Sequence, residues 1–144
     1  MHILITGAAG MIGRKLTERL VIDRALGGQP IEKLTLIDIV APTRPPGFSD
    51  HIKTRAADLT GPGVAEKAIS ERPEVIFHLA GVVSGEAETD LEKGYRVNLD
   101  GARALLEAVR RAGGGCAQPL SRRPRVGAPR SARPRCSTRP AWSG

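Results

Sequence analysis

Two rhythms of apolar and polar residues share the first 115 positions of this 144-residue chain. The first is a set of short apolar or mixed runs: His2–Thr6 (HILIT), Leu34–Asp38 (LTLID), Ile52–Ala57 (IKTRAA) and Val75–Ala80 (VIFHLA). Their length and β-branched content predict strands one to four. Strand three is the weakest; strand four is apolar on both faces, as a buried parallel strand should be. The second rhythm has a period near 3.6. It places Ile12, Leu16 and Leu20 on one side of a helix over Met11–Leu26. It places Val64, Ala65, Ala68 and Ile69 on a short helix running through Arg72, and Val97, Leu105, Leu106 and Val109 on a helix over Leu91–Ala112. Gly27, Gly28 and Pro30 stop the first helix, and the run Gly113–Gly115 stops the last. The Pro-rich stretch Ala41–Asp50 reads as a loop.

Strands alternating with helices imply right-handed βαβ units and a parallel sheet. The expected architecture is α/β: the N-terminal half of a doubly wound, Rossmann-type sheet with strand order 3-2-1-4.

The pattern stops at Cys116. Residues 116–144 hold seven Arg, five Pro, no Lys and no acidic residue, while residues 1–115 are electrically neutral. The whole net charge of +7 therefore belongs to the tail, together with Cys116, Cys136 and Trp142. No period survives there, and a disordered segment is expected. Two domains are expected: a partial dinucleotide-binding body over 1–115 and an Arg/Pro-rich tail over 116–144. Two cysteines without metal-type partners give no zinc site or disulfide framework, and no metal site is expected elsewhere. No apolar stretch reaches 18 residues and the N-terminus lacks a signal-type pattern, so a cytoplasmic protein without membrane contact is expected.

The chemistry concentrates at Gly7, Gly10 and Gly13, between strand one and the first helix. Gly7 permits a sharp exit from the strand, Gly10 lets an anion approach the main chain, and Gly13 lets the helix pack close to the strand. The helix N-terminus then offers unpaired N–H groups and partial positive charge to a pyrophosphate. An ordinary tight turn is the structural alternative. Asp38 ends strand two, where a carboxylate accepts from both adenosine ribose hydroxyls and repels a 2′-phosphate; NAD is thereby favoured over NADP. A solvated strand-end Asp is the alternative, and Arg44 lies near enough in sequence to serve a 2′-phosphate. Asp58 fits either an adenine contact or a helix N-cap. His78 reads as a core histidine rather than a ligand. Ala80 and Gly81 are small enough for a cofactor ribose to approach the backbone, and Ser84 and Glu86 lie where they would face a substrate or simply solvent. Tyr95, the single tyrosine, is followed four residues later by Leu99 rather than Lys. It therefore makes a poor acid/base and is expected to pack against the core.

TGAAGMIG, LTLID, AADL, VIFHLAG and NLDGA, in this order, resemble the extended short-chain dehydrogenase/reductases, the NAD-dependent epimerase/dehydratase group. RKLTERL, LIDIVAP and HLAGVVSGEAETDLEKGYRVNLDGARALLEA resemble its sugar-acid dehydrogenases in particular. The resemblance covers residues 1 to about 115. It implies NAD as cofactor and a sugar acid or nucleotide sugar as substrate in the parent family. It implies phosphate-loop roles for Gly7, Gly10 and Gly13, with Met11 and Ile12 donating main-chain N–H groups. Asp38 matches the ribose carboxylate, and Asp58 and Leu59 the adenine-side pair. Leu79, Ala80 and Gly81 match the wall under the cofactor, and Asn98 the Asn that supports the active-site side. The family's catalytic Ser and its Tyr-x-x-x-Lys have no counterpart here, so no catalytic residue is assigned.

Beyond Gly115 the composition is that of a GC-rich gene read out of frame, and a frameshift near codon 115 is the expected cause. Strand four would then present an apolar edge open to self-association. Three functions remain to be separated: a catalytically incompetent NAD-binding fragment, a non-catalytic dinucleotide-binding module, and an Arg-rich nucleic-acid binder. The neutral body and the lack of aromatic interleaving argue against the last.

Overall fold

A computed structural model describes residues 1–113, and the expected disordered tail over 116–144 lies outside them. Residues Met1–Ala112 form one compact unit. Its centre is a parallel sheet of β1 (His2–Thr6), β4 (Lys33–Asp38), β5 (Ile52–Ala56) and β6 (Val75–His78). The spatial order β5-β4-β1-β6 is the expected 3-2-1-4 once a small extra hairpin is set aside. In register, Ile5 sits between Leu36 on one side and Phe77 on the other.

Alternation along the strands feeds two cores. Ile3, Ile5, Leu34 and Leu36 point to one face and pack with Leu20 and Val21 of α1 (Met11–Asp23) and with Phe48. Leu4 and Ile37 point to the other, against Ala65, Ala68 and Ile69 of α2 (Val64–Ile69) and Leu105 and Ala108 of α5 (Gly101–Arg111). The central strands are thus buried on both faces, as a parallel sheet requires.

Several boundaries differ from expectation. α1 ends at Asp23, three residues early, with Arg24 in the left-handed region. Gly27 and Gly28 do more than stop a helix. Both have positive φ, 57° and 80°, and they turn a hairpin of β2 (Ala25–Leu26) and β3 (Gln29–Pro30). Two adjacent glycines suit the primed turn that matches strand twist. The buried side of α1 is Gly13, Thr17, Leu20 and Val21, whereas Ile12 is 58 % exposed and Leu16 half-buried. Close approach at Gly13 turns that side inward, and the Thr17 hydroxyl is buried because it donates to Gly13 O at 2.7 Å. α2 stops at Ile69 rather than Arg72 because Arg72 precedes Pro73, and a residue before proline avoids the helical region; its φ is 51°.

After β6 the chain forms α3 (Ser84–Thr89), where no helix was expected. The single helix anticipated over Leu91–Ala112 is divided into α4 (Leu91–Tyr95), a π-helical turn at Arg96–Asp100, and α5. Asp90 caps α4 by accepting from Lys93 N at 3.0 Å. A wide turn shifts the phase of the helix after it. Leu105 and Ala108 therefore face the core, and Leu106, expected there, is 70 % exposed. Tyr95 is likewise 62 % exposed rather than packed, because Gly94 is the residue turned toward Ala87.

β6 is not the fully buried strand its sequence suggests. Val75, Ile76, Phe77 and His78 are all half-buried, and among the described residues β1 is its one neighbour. At the opposite end of the sheet from the glycine turn, Glu71 binds Lys33 and Lys53, strapping β4 and β5 to the segment that leads into β6. Burial opposes ionisation of Glu71, but the hydrogen bonds and charges of the two lysines outweigh it and lower its pKa to about 2.

Candidate functional site

The carboxyl ends of β1, β4, β5 and β6 open into one cleft of about 350 Å³. α1 lies on one face of the sheet, and α2 and α5 on the other. The cleft therefore sits where the winding changes side, the position at which open α/β sheets bind ligands. Its volume is at the small end of the range for ligand sites.

Gly7 is required twice over. Its φ is +72°, and a Cβ there would lie 2.5 Å from Ala80 N and from the Leu79 carbonyl carbon. The end of β1 consequently touches the segment leaving β6, and Leu79 N donates to Thr6 O at 3.0 Å across the same junction. A Cβ on Gly13 would meet Gly7 O at 2.2 Å, so the helix start presses on the turn. Gly10 precedes α1 with extended backbone and no side-chain cap. Arg14 N is the first amide to bond back, to Gly10 O at 2.9 Å. The N–H groups of Met11, Ile12 and Gly13 thus have no intrahelical acceptor, and the exposed Met11 and Ile12 side chains leave that end open.

Asp38 lines the cleft at the end of β4, and its Oδ2 accepts from Ala9 N at 2.8 Å. Asp58 is a cleft residue too, but it does not cap a helix: α2 starts at Val64 behind Gly63. Asp58 Oδ1 accepts from Thr60 N at 2.9 Å and from Thr60 Oγ1 at 2.8 Å, closing a turn. Those bonds stabilise the carboxylate and lower its pKa. Leu59, beside it, is buried.

Leu79, Ala80 and Gly81 form the opposite wall. Asn98 stands behind that wall, on the π-helical turn. Its Oδ1 accepts from Val82 N at 2.9 Å and its Nδ2 donates to Val82 O at 3.0 Å, as a neighbouring strand would. A Cβ on Gly81 would come within 3.1 Å of that Oδ1. His78 shares a 2.7 Å hydrogen bond between Nδ1 and Thr6 Oγ1, and burial lowers its pKa. No cluster of potential metal ligands occurs among the described residues. The side chains of Ser84 and Glu86 lie outside what the structure describes.

Gly7, Gly10, Asp38, Asp58, Leu59, Leu79, Ala80 and Gly81 therefore share the cleft, with Met11, Ile12 and Gly13 at its helical end and Asn98 behind it. Sequence reasoning missed Ala9, Ile37, Ile39, Val40, Ala57, Thr60, Val82, Lys93, Val97 and Gly101. Ile39 and Val40 were recoverable, since they directly follow the strand-end Asp38 at the carboxyl edge. Lys93 comes from α4, Val97 from the π turn and Gly101 from the start of the helix whose phase that turn sets, and no local pattern announces the turn.

An open parallel sheet with a glycine turn and a strand-end carboxylate at its winding switch defines a dinucleotide-fold protein. The chain belongs to the NAD-dependent epimerase/dehydratase family, whose model matches residues 3–119. It is similar to D-erythronate dehydrogenase of Cupriavidus necator, 47 % identical over 119 residues that span 78 % of this chain and 36 % of that protein. Among solved structures it resembles a nucleoside-diphosphate-sugar epimerase from Agrobacterium tumefaciens, 63 % identical with a TM-score of 0.76, covering 79 % of this chain and 33 % of that one. It also resembles the UDP-glucose 4-epimerase of Thermus thermophilus in complex with NAD, 30 % identical with a TM-score of 0.62, covering 78 % and 35 %. The chain spans about a third of the length of these relatives. No helix among the described residues is long and apolar enough to cross a membrane.

Proposed function

We propose that this chain carries the adenosine and phosphate half of the NAD site of a sugar-acid dehydrogenase of the D-erythronate type, without the catalytic half. The observation that carries the reading is the single cleft joining the glycine turn to Asp38. The donor set fits the cofactor. The first-turn amides of α1 suit the pyrophosphate, and the Asp38 carboxylate suits the adenosine ribose. Leu59, Ile39 and Val40 supply apolar surface for the adenine, with Asp58 at its edge. Leu79, Ala80 and Gly81, supported by Asn98, continue the wall toward the nicotinamide. NAD, when bound, supplies the hydride acceptor; this chain's residues bind and orient it. The carboxylate favours NAD over NADP by repelling a 2′-phosphate. No serine and no Tyr-x-x-x-Lys stands where the family's acid/base would, so no turnover is expected. The Arg-rich sequence from Cys116 is read as the product of a shifted frame, and the edge strand β6 as a surface for pairing with other copies.

Calorimetry of the 144-residue chain with NAD and NADP, alongside an NADH-absorbance assay with D-erythronate, tests the reading. Weak NAD binding, weaker NADP binding and no NADH formation are expected. Hydride transfer from D-erythronate would overturn it. Submicromolar NAD affinity in a soluble monomer would instead identify a non-catalytic dinucleotide-binding module.

A further inference from the structure

We propose that Asp38 is a positioning residue for the phosphate cradle as well as a ribose partner: its carboxylate holds the glycine turn in shape through Ala9. The inference rests on the nucleotide reading above for its binding consequence, though not for the tether itself. The turn Gly7-Ala8-Ala9-Gly10 has no polar side chain with which to fix its own backbone. Its amides are held from outside or by one another. Ala8 N donates to Ile37 O at 3.3 Å, Gly10 N to Gly7 O at 3.2 Å, and Ala9 N to Asp38 Oδ2 at 2.8 Å. The last is the shortest of the three and the one with a charged acceptor, which strengthens a hydrogen bond. It is also the one that a single side-chain substitution removes.

The chemistry explains an otherwise awkward placement. A carboxylate beside an anion cradle repels phosphate, so its presence calls for an offsetting role. By occupying the Ala9 amide, Asp38 fixes where the turn ends and α1 begins. That leaves Met11, Ile12 and Gly13, whose amides lack intrahelical acceptors, as the donors for the anion. Among the described residues, Asp38 Oδ1 has no hydrogen-bond partner and is left for a ligand hydroxyl. The two oxygens thus divide the work: one orders the protein and the other meets the ribose.

A cycle of ligand and residue changes separates the two roles. The probes are ADP and 2′,3′-dideoxy-ADP, which lacks the ribose hydroxyls, measured by calorimetry on the full chain and on D38A and D38N. Both variants remove the carboxylate's repulsion of the phosphates, so if Asp38 acted through the hydroxyls alone, D38A and D38N would bind the dideoxy probe equally, which would overturn the proposal. The expected result is binding about fivefold weaker for D38A than for D38N. D38N should bind that probe no more weakly than the native chain, because its amide oxygen still accepts from Ala9 N. Amide exchange of Ala9 in the ligand-free chain reads the tether without any nucleotide. Acceleration of about tenfold in D38A, with D38N near native, is expected; equal exchange in all three would sink the idea. Failure of the native chain to bind ADP would remove the nucleotide reading, and the exchange measurement would then decide the tether alone.

Discussion

Gly7→Ala is the substitution for which this fold makes the sharpest demand, and the molecule contains its own control. Gly7 and Gly63 both have φ of +72°, so alanine at either position is forced into a φ that L side chains rarely adopt. They differ in their surroundings. A Cβ at Gly63 meets nothing within 4 Å, whereas at Gly7 it lies 2.5 Å from Ala80 N and from the Leu79 carbonyl carbon. Left-handed backbone costs a non-glycine residue about 1–2 kcal/mol. Alanine returns roughly 0.4–1 kcal/mol by restricting the unfolded chain. Gly63→Ala should therefore destabilise by about 1 kcal/mol. At Gly7 the obstructing atoms are backbone, which cannot swing aside. Relief requires β1 and the exit of β6 to part by nearly 1 Å, at the hydrogen bond from Leu79 N to Thr6 O. Overpacking adds about 1–3 kcal/mol, and a weakened backbone bond about 1 kcal/mol more. Gly7→Ala should thus cost about 3–5 kcal/mol. Urea titrations of the native chain and both variants, followed by far-UV circular dichroism, measure the difference. Equal midpoints for the two variants would refute the close-approach argument and leave only the φ argument.

Acid should unlock the end of the sheet opposite the cleft. The Glu71 pKa is lowered from 4.5 to about 2, so its stabilisation is complete above pH 4.5 and lost as pH falls toward 2. The shift corresponds to ~3 kcal/mol, which solvent screening of the 39 % and 50 % exposed lysines reduces to about 1–2 kcal/mol. Urea midpoints between pH 5 and pH 2 should fall less steeply for Glu71→Gln than for the native chain; parallel slopes would dismiss the network. Asn98→Ala should cost about 1 kcal/mol and accelerate exchange of the Val82 amide, with NAD affinity falling with it; an unchanged Val82 amide would exclude the clamp. Reading the coding DNA past codon 115 in the other frames should give a β-branched strand, a serine pair and Tyr-x-x-x-Lys. Their absence from every frame would remove the frameshift reading.

The four strands of the main sheet were legible as short apolar or mixed runs and their order from the alternation of strands with helices, whereas the hairpin of β2 and β3 was not. The glycine turn was legible because only glycine meets the two constraints at position 7. What escaped was set by tertiary contact. α1 buries Thr17 in place of Leu16 because the approach at Gly13 fixes the helix rotation, and periodicity alone counts methyl groups without weighing a satisfied hydroxyl. The π-helical turn at Arg96–Asp100 hid the phase of α5 and, with it, the contribution of Val97 and Gly101 to the cleft. Strand four looked buried because its residues suit a sheet interior. Its place at an edge of the described sheet is a matter of which strands lie beside it, and Val75–His78 carry no mark of that.

That edge bears on how the two sides of the cleft are supported. The glycine turn, Asp38 and the Asp58 turn belong to β1, β4 and the segment after β5, whose strands pair with one another and share both cores. The side of the cleft that holds the glycine turn and Asp38 therefore rests on the best-buried strands among the described residues. Among the described residues the wall on the far side lacks that burial. Leu79, Ala80 and Gly81 leave a half-buried strand, and where a further strand would offer N–H and C=O groups, the Asn98 side chain supplies one of each to Val82. Two side-chain bonds on an exposed segment open more readily than a strand ladder. The glycine turn and Asp38 should accordingly hold their places under conditions that loosen the wall of Leu79, Ala80 and Gly81. On the proposed function, ADP should then retain most of the affinity this chain has for NAD.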